Sequence, residues 1–281
     1  MTLKIAYLGP RGTFSEEAAT RYFSRENVNL VPFTTLLDVL EEVQIGGMDK
    51  GVVPIENTIE GSINMMVDAL ADSPDLFAEA EIVLPVAQHL LGNDGSRLED
   101  IREIWSIAPA LAQCRKLIRQ LHATVRHFDS TASAAQALKE SGRTDAGAVA
   151  SAWAAGQVGL CVVAQNIQDN MENHTRFLVV SKDGRTPEKA EKTMLQIIPC
   201  AEHTGVLANI VHVFAALDLN LTWIESRPTK TRLGTYHFYL DVAAGLQEDG
   251  MQRAISILEI MGHQVRTLGS FRSTHLTPTL F

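Results

Sequence analysis

The chain has 281 residues, 46% of them apolar and 20% charged, with 24 basic against 33 acidic side chains and a formal charge of −9. Such a composition fits a globular protein long enough for two domains and excludes disorder and fibrous repeats. The acidic balance also removes the electrostatic footprint on which nucleic-acid and anionic-membrane binding rest.

No apolar run approaches the length of a spanning helix. The opening MTLKIAYLGP lacks the apolar stretch and cleavage site of a secretory signal, so a cytoplasmic protein is expected. Cys114, Cys161 and Cys200 are few, odd in number and far apart, and are expected as reduced thiols in the core.

In chain order, Leu3 to Leu8 reads as a strand, and Thr13 with Glu16 has the capping-box spacing that opens a helix. Leu36, Val39, Leu40 and Val43 recur at helical spacing, as do Ile63, Met66, Val67 and Leu70, and the buried-looking strand GVVPI lies between them. IVLPV follows, then REIWSI leading into a helix over PALAQCRKLIRQL, VRHF into STASAAQALKESG, and GAVA into SAWAAGQVG. LCVVAQ and RFLVVS close the region as strands. Alternating strands and helices predict an α/β domain with a largely parallel sheet, because parallel neighbours need crossover helices.

From Ser181 to Lys192 the sequence SKDGRTPEKAEK has no large apolar residue and reads as a linker. Beyond it come strand TMLQII, a helix over Leu207, Ile210, Val211, Phe214 and Leu217, and strands LTWIES and YHFYLDV. A helix over Met251, Ala254, Ile255 and Leu258 and a last strand from Gln264 to Phe271 complete a ferredoxin-like βαββαβ unit. A unit of that size is expected to lean on a partner surface.

Ligands of open α/β sheets bind beyond the carboxyl ends of the strands, where helix N-termini offer free N–H groups. The polar residues at those joints are Arg11, Gly12 and Thr13; Glu56, Asn57 and Thr58; Ser106; Asp129, Ser130 and Thr131; and Ser151. Each can be a helix cap, or several can face one crevice and hold a small anion. GPRGTFS matches neither the dinucleotide fingerprint nor the phosphate loop, and HExxH, CxxC and GxSxG do not occur. Nucleotide binding, a metal and a covalent serine are therefore not expected. Thr175, Arg176 and Phe177 open the strand RFLVVS: a guanidinium beside a hydroxyl can clamp a carboxylate, or Arg176 can be a surface strand residue in a salt bridge.

GPRGTFSEEAA, VVPIENTIEGS, ALAQC, STASAA, ASAWAA and NHTRF occur in the order and near the spacing of the prephenate dehydratase family, which the chain resembles over nearly its whole length. NLTWIESRP looks like the ESRP signature of the family's ACT regulatory domain. The resemblance implies an α/β fold, with a two-lobed, periplasmic-binding-protein-like catalytic domain over 1–181 and its active site in the cleft. It further implies a linker over 182–192, a C-terminal ACT domain over 193–273 and a tail over 274–281. The implied activity converts prephenate to phenylpyruvate with loss of water and carbon dioxide; aromatisation drives it, so no cofactor is needed.

By resemblance, Thr175 meets the leaving hydroxyl as a hydrogen-bond donor or relay, Arg176 pairs with a substrate carboxylate and Phe177 walls the ring. Asn57, Thr58, Ser106, Gln113, Ser130 and Ser151 would line the cleft. Asp129 would act as an acid only if burial or a neighbouring carboxylate raised its pKa, and otherwise caps the next helix. Phenylalanine would bind as effector at Gly205, Val206, Leu207, Asn220, Glu225, Ser226, Arg227 and Pro228, between subunits of a homodimer or homotetramer. Two segments depart from the family pattern: SIAPALAQC has Ile107, Ala108 and Pro109 where SHPQALAQC is usual, and Val206 adds volume where GAL is usual. The start at Met1 leaves no room for the chorismate mutase domain of some relatives, so a monofunctional enzyme is expected. Arogenate dehydratase is the alternative within the same chemistry, and a non-catalytic metabolite sensor is the alternative outside it.

Overall fold

A computed structural model describes residues 2–184, 186–201 and 203–278. The first part of the chain runs β1 (Leu3–Leu8), α1 (Phe14–Tyr22), β2 (Val28–Phe33), α2 (Leu36–Gln44), β3 (Lys50–Asn57), β4 (Gly61–Ser62), α3 (Asn64–Asp72) and β5 (Phe77–Pro85). A second group follows: β6 (His89–Gly92), β7 (Glu103–Ser106), α4 (Ala108–Gln113), α5 (Arg115–Gln120), β8 (Thr124–His127), α6 (Thr131–Ser141), β9 (Ala146–Ala150), α7 (Ala152–Val158) and β10 (Cys161–Ala164). The chain then returns through β11 (His174–Ser181) and ends with β12 (Lys192–Ile198), α8 (Val206–Ala216), β13 (Leu221–Pro228), β14 (Tyr236–Val242), α9 (Asp249–Ile260) and β15 (Gln264–His275).

These strands form two mixed sheets. The larger has the order β13-β14-β12-β15-β5-β11-β3-β1-β2, and the smaller β10-β6-β9-β7-β8. The expectation of a largely parallel sheet is corrected: β11 lies antiparallel to both β3 and β5, and β6 antiparallel to both β9 and β10. The reason is that the chain leaves the larger sheet after β5 and re-enters it at β11, so the returning strand runs the other way. The two crossing segments lie side by side, with Val86 N–H donating to Asn173 O at 2.8 Å and Ile167 N–H to Gln88 O at 2.8 Å.

The helix over PALAQCRKLIRQL is broken at Cys114, whose backbone leaves the helical region (φ −120°, ψ 28°) and separates α4 from α5. β2 and β6 carry no clear sequence signal: β2 has Pro32 within it and tolerates it as the edge strand, and β6 is four residues long. Thr13 caps α1 by accepting the Glu16 N–H, but the Glu16 carboxylate turns to Gly12 N–H instead of closing the box. Cys114 is buried as expected; Cys161 and Cys200 are exposed.

The C-terminal βαββαβ segment buries one sheet face under α8 and α9, with Ile210, Phe214, Phe238, Leu240 and Leu258 at its centre. The opposite face finds its partner within the same chain: Met194, Trp223, Tyr239, Leu268 and Phe271 join one core with Val53, Leu70 and Leu178. β15 also pairs parallel with β5, which makes the larger sheet continuous through both parts of the chain. Residues expected as a tail continue this docking: Leu276 N–H donates to Val83 O, and Arg21 donates to Thr277 O at 2.6 Å.

Candidate active site

A cavity of about 860 Å³ lies where the two sheets face each other. From the larger sheet it is lined by Thr13, Phe14, Asn57, Glu60, Thr175 and Phe177, from the smaller by Ile107, Gln113, Asp129, Ser130 and Ser133, and from the crossing segments by Val86, Gln88 and Asn173. Its volume and mostly apolar walls with few polar groups suit a small organic ligand.

Thr175 and Asn57 meet on one rung of the β11–β3 ladder. Asn57 Nδ2 donates to Thr175 Oγ1 at 3.0 Å and also faces Asn173 Oδ1 at 2.8 Å and His174 O at 3.2 Å. Asn57 Oδ1 accepts the N–H groups of Ile59 and Glu60, so the amide's orientation is fixed. Since the amide nitrogen has only protons to give, the Thr175 oxygen must accept, and its own O–H, with no acceptor among the described residues, is available to a ligand in the cavity. The chain of polar contacts continues across the cleft: Asn173 Nδ2 donates to Gln113 Oε1 at 2.9 Å, and Gln113 Nε2 to Glu60 Oε1 at 3.2 Å. Phe177, 1% exposed, presents its ring on the same face as Thr175, two residues along the strand.

Arg176 requires a correction. It is absent from the cavity lining, because strand alternation sends it to the opposite face of β11, where it pairs with Glu56, Glu81 and Asp241. Neither the carboxylate clamp in the cleft nor a surface salt bridge describes it. Thr58 is also outside the cavity; its hydroxyl donates to Glu172 O and accepts from His174 N–H. Ser106 is fully buried and donates to Val149 O at 2.7 Å, tying β7 to β9. Ser151 caps α7 through the Ala154 N–H. For these serines the structural role prevails over the ligand role. Asn57, Gln113, Asp129 and Ser130 do line the cavity, but Ser130, not Asp129, is the cap of α6, and Asp129 is exposed.

Among the described lining residues there is no lysine or arginine. Beside the carboxylates of Glu60 and Asp129, the groups suited to an anion are the N-termini of α1 and α6, whose first residues Phe14 and Thr131 both line the cavity, from opposite walls. Glu60, Gln88 and Asn173 were not singled out from sequence, because none stands at a strand-to-helix joint; the NHTRF segment itself was the signal for Asn173.

A buried carboxylate ties the two walls together. Glu16 Oε2 accepts from Gly12 N–H at 2.7 Å and from Trp153 Nε1–H of α7 at 2.9 Å, and Oε1 accepts from Tyr7 OH at 3.1 Å. Burial, reinforced by the Glu16 charge, pushes the Tyr7 phenol well above its usual range, so it stays a donor. At Gly12 (φ +85°) a Cβ would meet Ala132 Cβ at 3.4 Å and Ala154 Cα at 3.5 Å, so the loop before α1 packs directly on α6 and α7.

In the C-terminal segment Gly205 begins α8 with φ +88°, Val206 is buried, and Leu207, Asn220, Ser226 and Pro228 are exposed. Arg227, expected at an effector site with Glu225, is instead engaged with α3, donating from Nε and Nη2 to the two oxygens of Asp68 at 2.8 and 3.0 Å. That two-pronged pair holds the Asp68 carboxyl below its usual range against a smaller burial effect. Among the described residues no helix is long and apolar enough to cross a membrane, and no group of His, Cys, Asp and Glu is arranged to hold a metal ion.

The sequence profile of prephenate dehydratase matches residues 5–185. A prephenate dehydratase of Lactococcus lactis is 37% identical over 275 residues, spanning 96% of this chain and 97% of that protein. The crystal structure of a prephenate dehydratase from Staphylococcus aureus superposes with a TM-score of 0.87 at 35% identity, over 96% of this chain and all of the other. That of the Arthrobacter aurescens enzyme in complex with L-Phe gives 0.87 at 32% identity, over 96% and 90%. With the profile covering most of the chain and these likenesses running nearly end to end, the protein is a member of the prephenate dehydratase family.

Proposed function

We propose that this chain converts prephenate to phenylpyruvate, in the phenylalanine branch of aromatic amino acid biosynthesis, and that phenylalanine regulates it. The observation that carries the reaction is the hydroxyl of Thr175, which accepts from Asn57 and has its own proton free at the wall of the cavity. In the reaction the bond from the ring to its carboxylate breaks and its electrons enter the ring. The double bonds shift, the bond to the para hydroxyl breaks, and carbon dioxide and water leave while the departing hydroxide takes up one proton. Thr175 donates its hydrogen bond to that oxygen as negative charge develops there. A Thr hydroxyl is too weak an acid to part with its proton, so it acts as donor or relay. Phe177 walls the ring, Asn57, Gln113 and Ser130 supply polar contacts, and the amides of α1 and α6 receive the two carboxylates.

The corresponding organisation is a two-lobed, periplasmic-binding-protein-like catalytic domain over 1–181, with the cavity as its cleft, and a linker over 182–192. An ACT domain over 193–273 follows, carrying phenylalanine near Gly205 and β13 between the C-terminal domains of a homo-oligomer in the cytoplasm. The bound L-Phe of the Arthrobacter relative supports the effector assignment. Purified protein is given prephenate and arogenate at equal concentration, with and without phenylalanine. Phenylpyruvate from prephenate, at a rate that phenylalanine changes, is the expected result; phenylalanine produced from arogenate at a higher rate would reassign the substrate, and turnover of neither would refute the reading.

A further inference from the structure

Arg176 is one residue from Thr175 and on the other side of the sheet, where the two parts of the chain meet. Its Nη1 donates to Glu56 Oε2 at 2.9 Å, its Nε lies 2.7 Å from Glu81 Oε2, and its Nη2 donates to Asp241 Oδ2. The guanidinium carbon stands 5.7 Å from the centre of the Trp223 ring. Glu56 and Glu81 belong to β3 and β5, the two strands that flank β11, whereas Asp241 and Trp223 belong to β14 and β13 of the C-terminal unit. Burial opposes the charge on Arg176, and the three carboxylates outweigh it and hold the guanidinium cationic. Asp241 is fully buried, and burial pushes its carboxyl upward despite the guanidinium.

The ladder connects this cluster to the reacting group. Arg176 pairs with Glu56 on the rung next to that of Thr175 and Asn57, and the regular register breaks between Arg176 and Phe177, where Ile55 is the extra residue opposite. A bulge lets a strand turn locally without losing its pairing on either side. The extra residue is on β3, so on that side the Thr175 and Arg176 rungs are set off from those after Phe177, while the pairing of β11 with β5 stays regular from His174 to Val179. Lys192 of β12 and Ser273 of β15 also reach the cluster, both by donating to Glu81, whereas Trp223 to Ser62, Arg227 to Asp68 and Arg266 to the carbonyls of Ala71 and Ser73 reach β4, α3 and the turn after it.

We propose that Arg176 is a positioning residue: through its pair with Asp241 it sets the orientation of the Thr175–Asn57 rung, so that the placement of the C-terminal unit is read at the reacting hydroxyl. The regulatory half of this claim rests on the phenylalanine reading given above; the positioning half does not. Asp241 offers one oxygen to the guanidinium and its other oxygen has no hydrogen-bond partner among the described residues, so a shift of β14 acts on Arg176 directly through that contact.

The test uses the full chain with Asp241→Asn, which keeps the side-chain shape and removes the charge, Arg176→Lys, which keeps the charge and loses the planar fork, and Arg266→Gln as a docking control. Steady-state turnover of prephenate is measured with and without phenylalanine, alongside calorimetry of phenylalanine binding and thermal melting. The expected result for Asp241→Asn and Arg176→Lys is a kcat lower by about tenfold with KM within about twofold. Inhibition by phenylalanine should be largely lost although calorimetry still detects its binding. Arg266→Gln should keep the wild-type kcat and response. Wild-type kcat and response in either folded Asp241 or Arg176 variant would overturn the proposal, and so would an equal loss in the Arg266 control. Failure of the wild-type chain to bind phenylalanine would instead defeat the effector reading, leaving kcat as the test of positioning; failure to turn over prephenate would defeat the dehydratase reading itself.

Discussion

Replacing Thr175 by Val removes one O–H and leaves the outline of the side chain unchanged, so the structure allows its effects on stability and on rate to be separated. In the folded protein the Thr175 oxygen receives one described hydrogen bond, from Asn57 at 3.0 Å. Asn57 still has Asn173 Oδ1 at 2.8 Å and His174 O at 3.2 Å as acceptors, so no donor is orphaned. The loss is then that of one neutral hydrogen bond at a half-buried site, about 1 kcal/mol or less. The rate should respond much more strongly. A donor aimed at an oxygen that gains negative charge contributes about 3–4 kcal/mol to the transition state in a cavity of this kind, so kcat should fall by about 10²–10³. Thr175→Ser keeps the O–H and should stay within about tenfold of wild type. The assay is initial-rate formation of phenylpyruvate over a range of prephenate concentrations, with a thermal melt of each variant. A Thr175→Val enzyme whose kcat is within about threefold of wild type would refute the donor role outright.

Three other perturbations follow from the same geometry. Asn57→Asp keeps an oxygen for the Ile59 and Glu60 amides but turns an acceptor toward Thr175, forcing its proton away from the cavity; turnover at neutral pH should fall by about a hundredfold and partly recover in acid as the new carboxyl protonates, read from the pH–rate profile. Trp153→Phe removes the 2.9 Å bond from α7 to Glu16 and so loosens the contact between the cavity walls, raising KM by about fivefold with a smaller change in kcat, measured by steady-state kinetics. His89 is buried, with Nδ1 accepting the Asn166 N–H, and burial lowers its pKa from 6.5 to about 4. Between pH 6.5 and about 4 the unfolded chain holds a proton that the folded one refuses, so stability is full above 6.5 and declines by about 3 kcal/mol as pH falls to 4. His89→Asn should flatten this part of the denaturation profile; an unchanged slope would contradict it.

The helices α2 and α6 were legible from their residues, but their reciprocal caps, Thr35 with Asp38 and Ser130 with Ser133, were not singled out, and the box that was, Thr13 with Glu16, does not close. The strand cores GVVPI and RFLVVS were equally plain from continuous apolar runs. What the sequence did not disclose depends on direction and distance. The antiparallel entry of β11 follows from where the chain returns, which no local pattern encodes. The contact of Glu16 with Trp153 spans 137 residues and replaces the capping role that Glu16 has by spacing. Thr175, Arg176 and Phe177 are different, since the information was present. On a strand, side chains at consecutive positions face opposite ways, so a hydroxyl, a guanidinium and a ring at adjacent positions cannot all line one cavity.

That alternation also bears on how an acidic protein holds a dianion. With Arg176 committed to three carboxylates behind the sheet, the cavity keeps no described lysine or arginine on its walls, and the net charge of −9 gives no long-range attraction. Helix N-termini remain: besides the short α4, whose first turn also lines the cavity, those of α1 and α6 each carry a fraction of a positive charge and have their amides fixed by a cap, Thr13 and Ser130. Because α1 and α6 belong to opposite walls, a ligand with a carboxylate for each spans the cavity, and the Glu16–Trp153 bond fixes the spacing of those walls. A guanidinium in the cleft would bind one carboxylate strongly whether the walls were apart or together. Paired helix ends make binding depend on the spacing of the walls, and the Thr175 hydroxyl on the same cavity is strongest as a donor where the ligand itself displaces water.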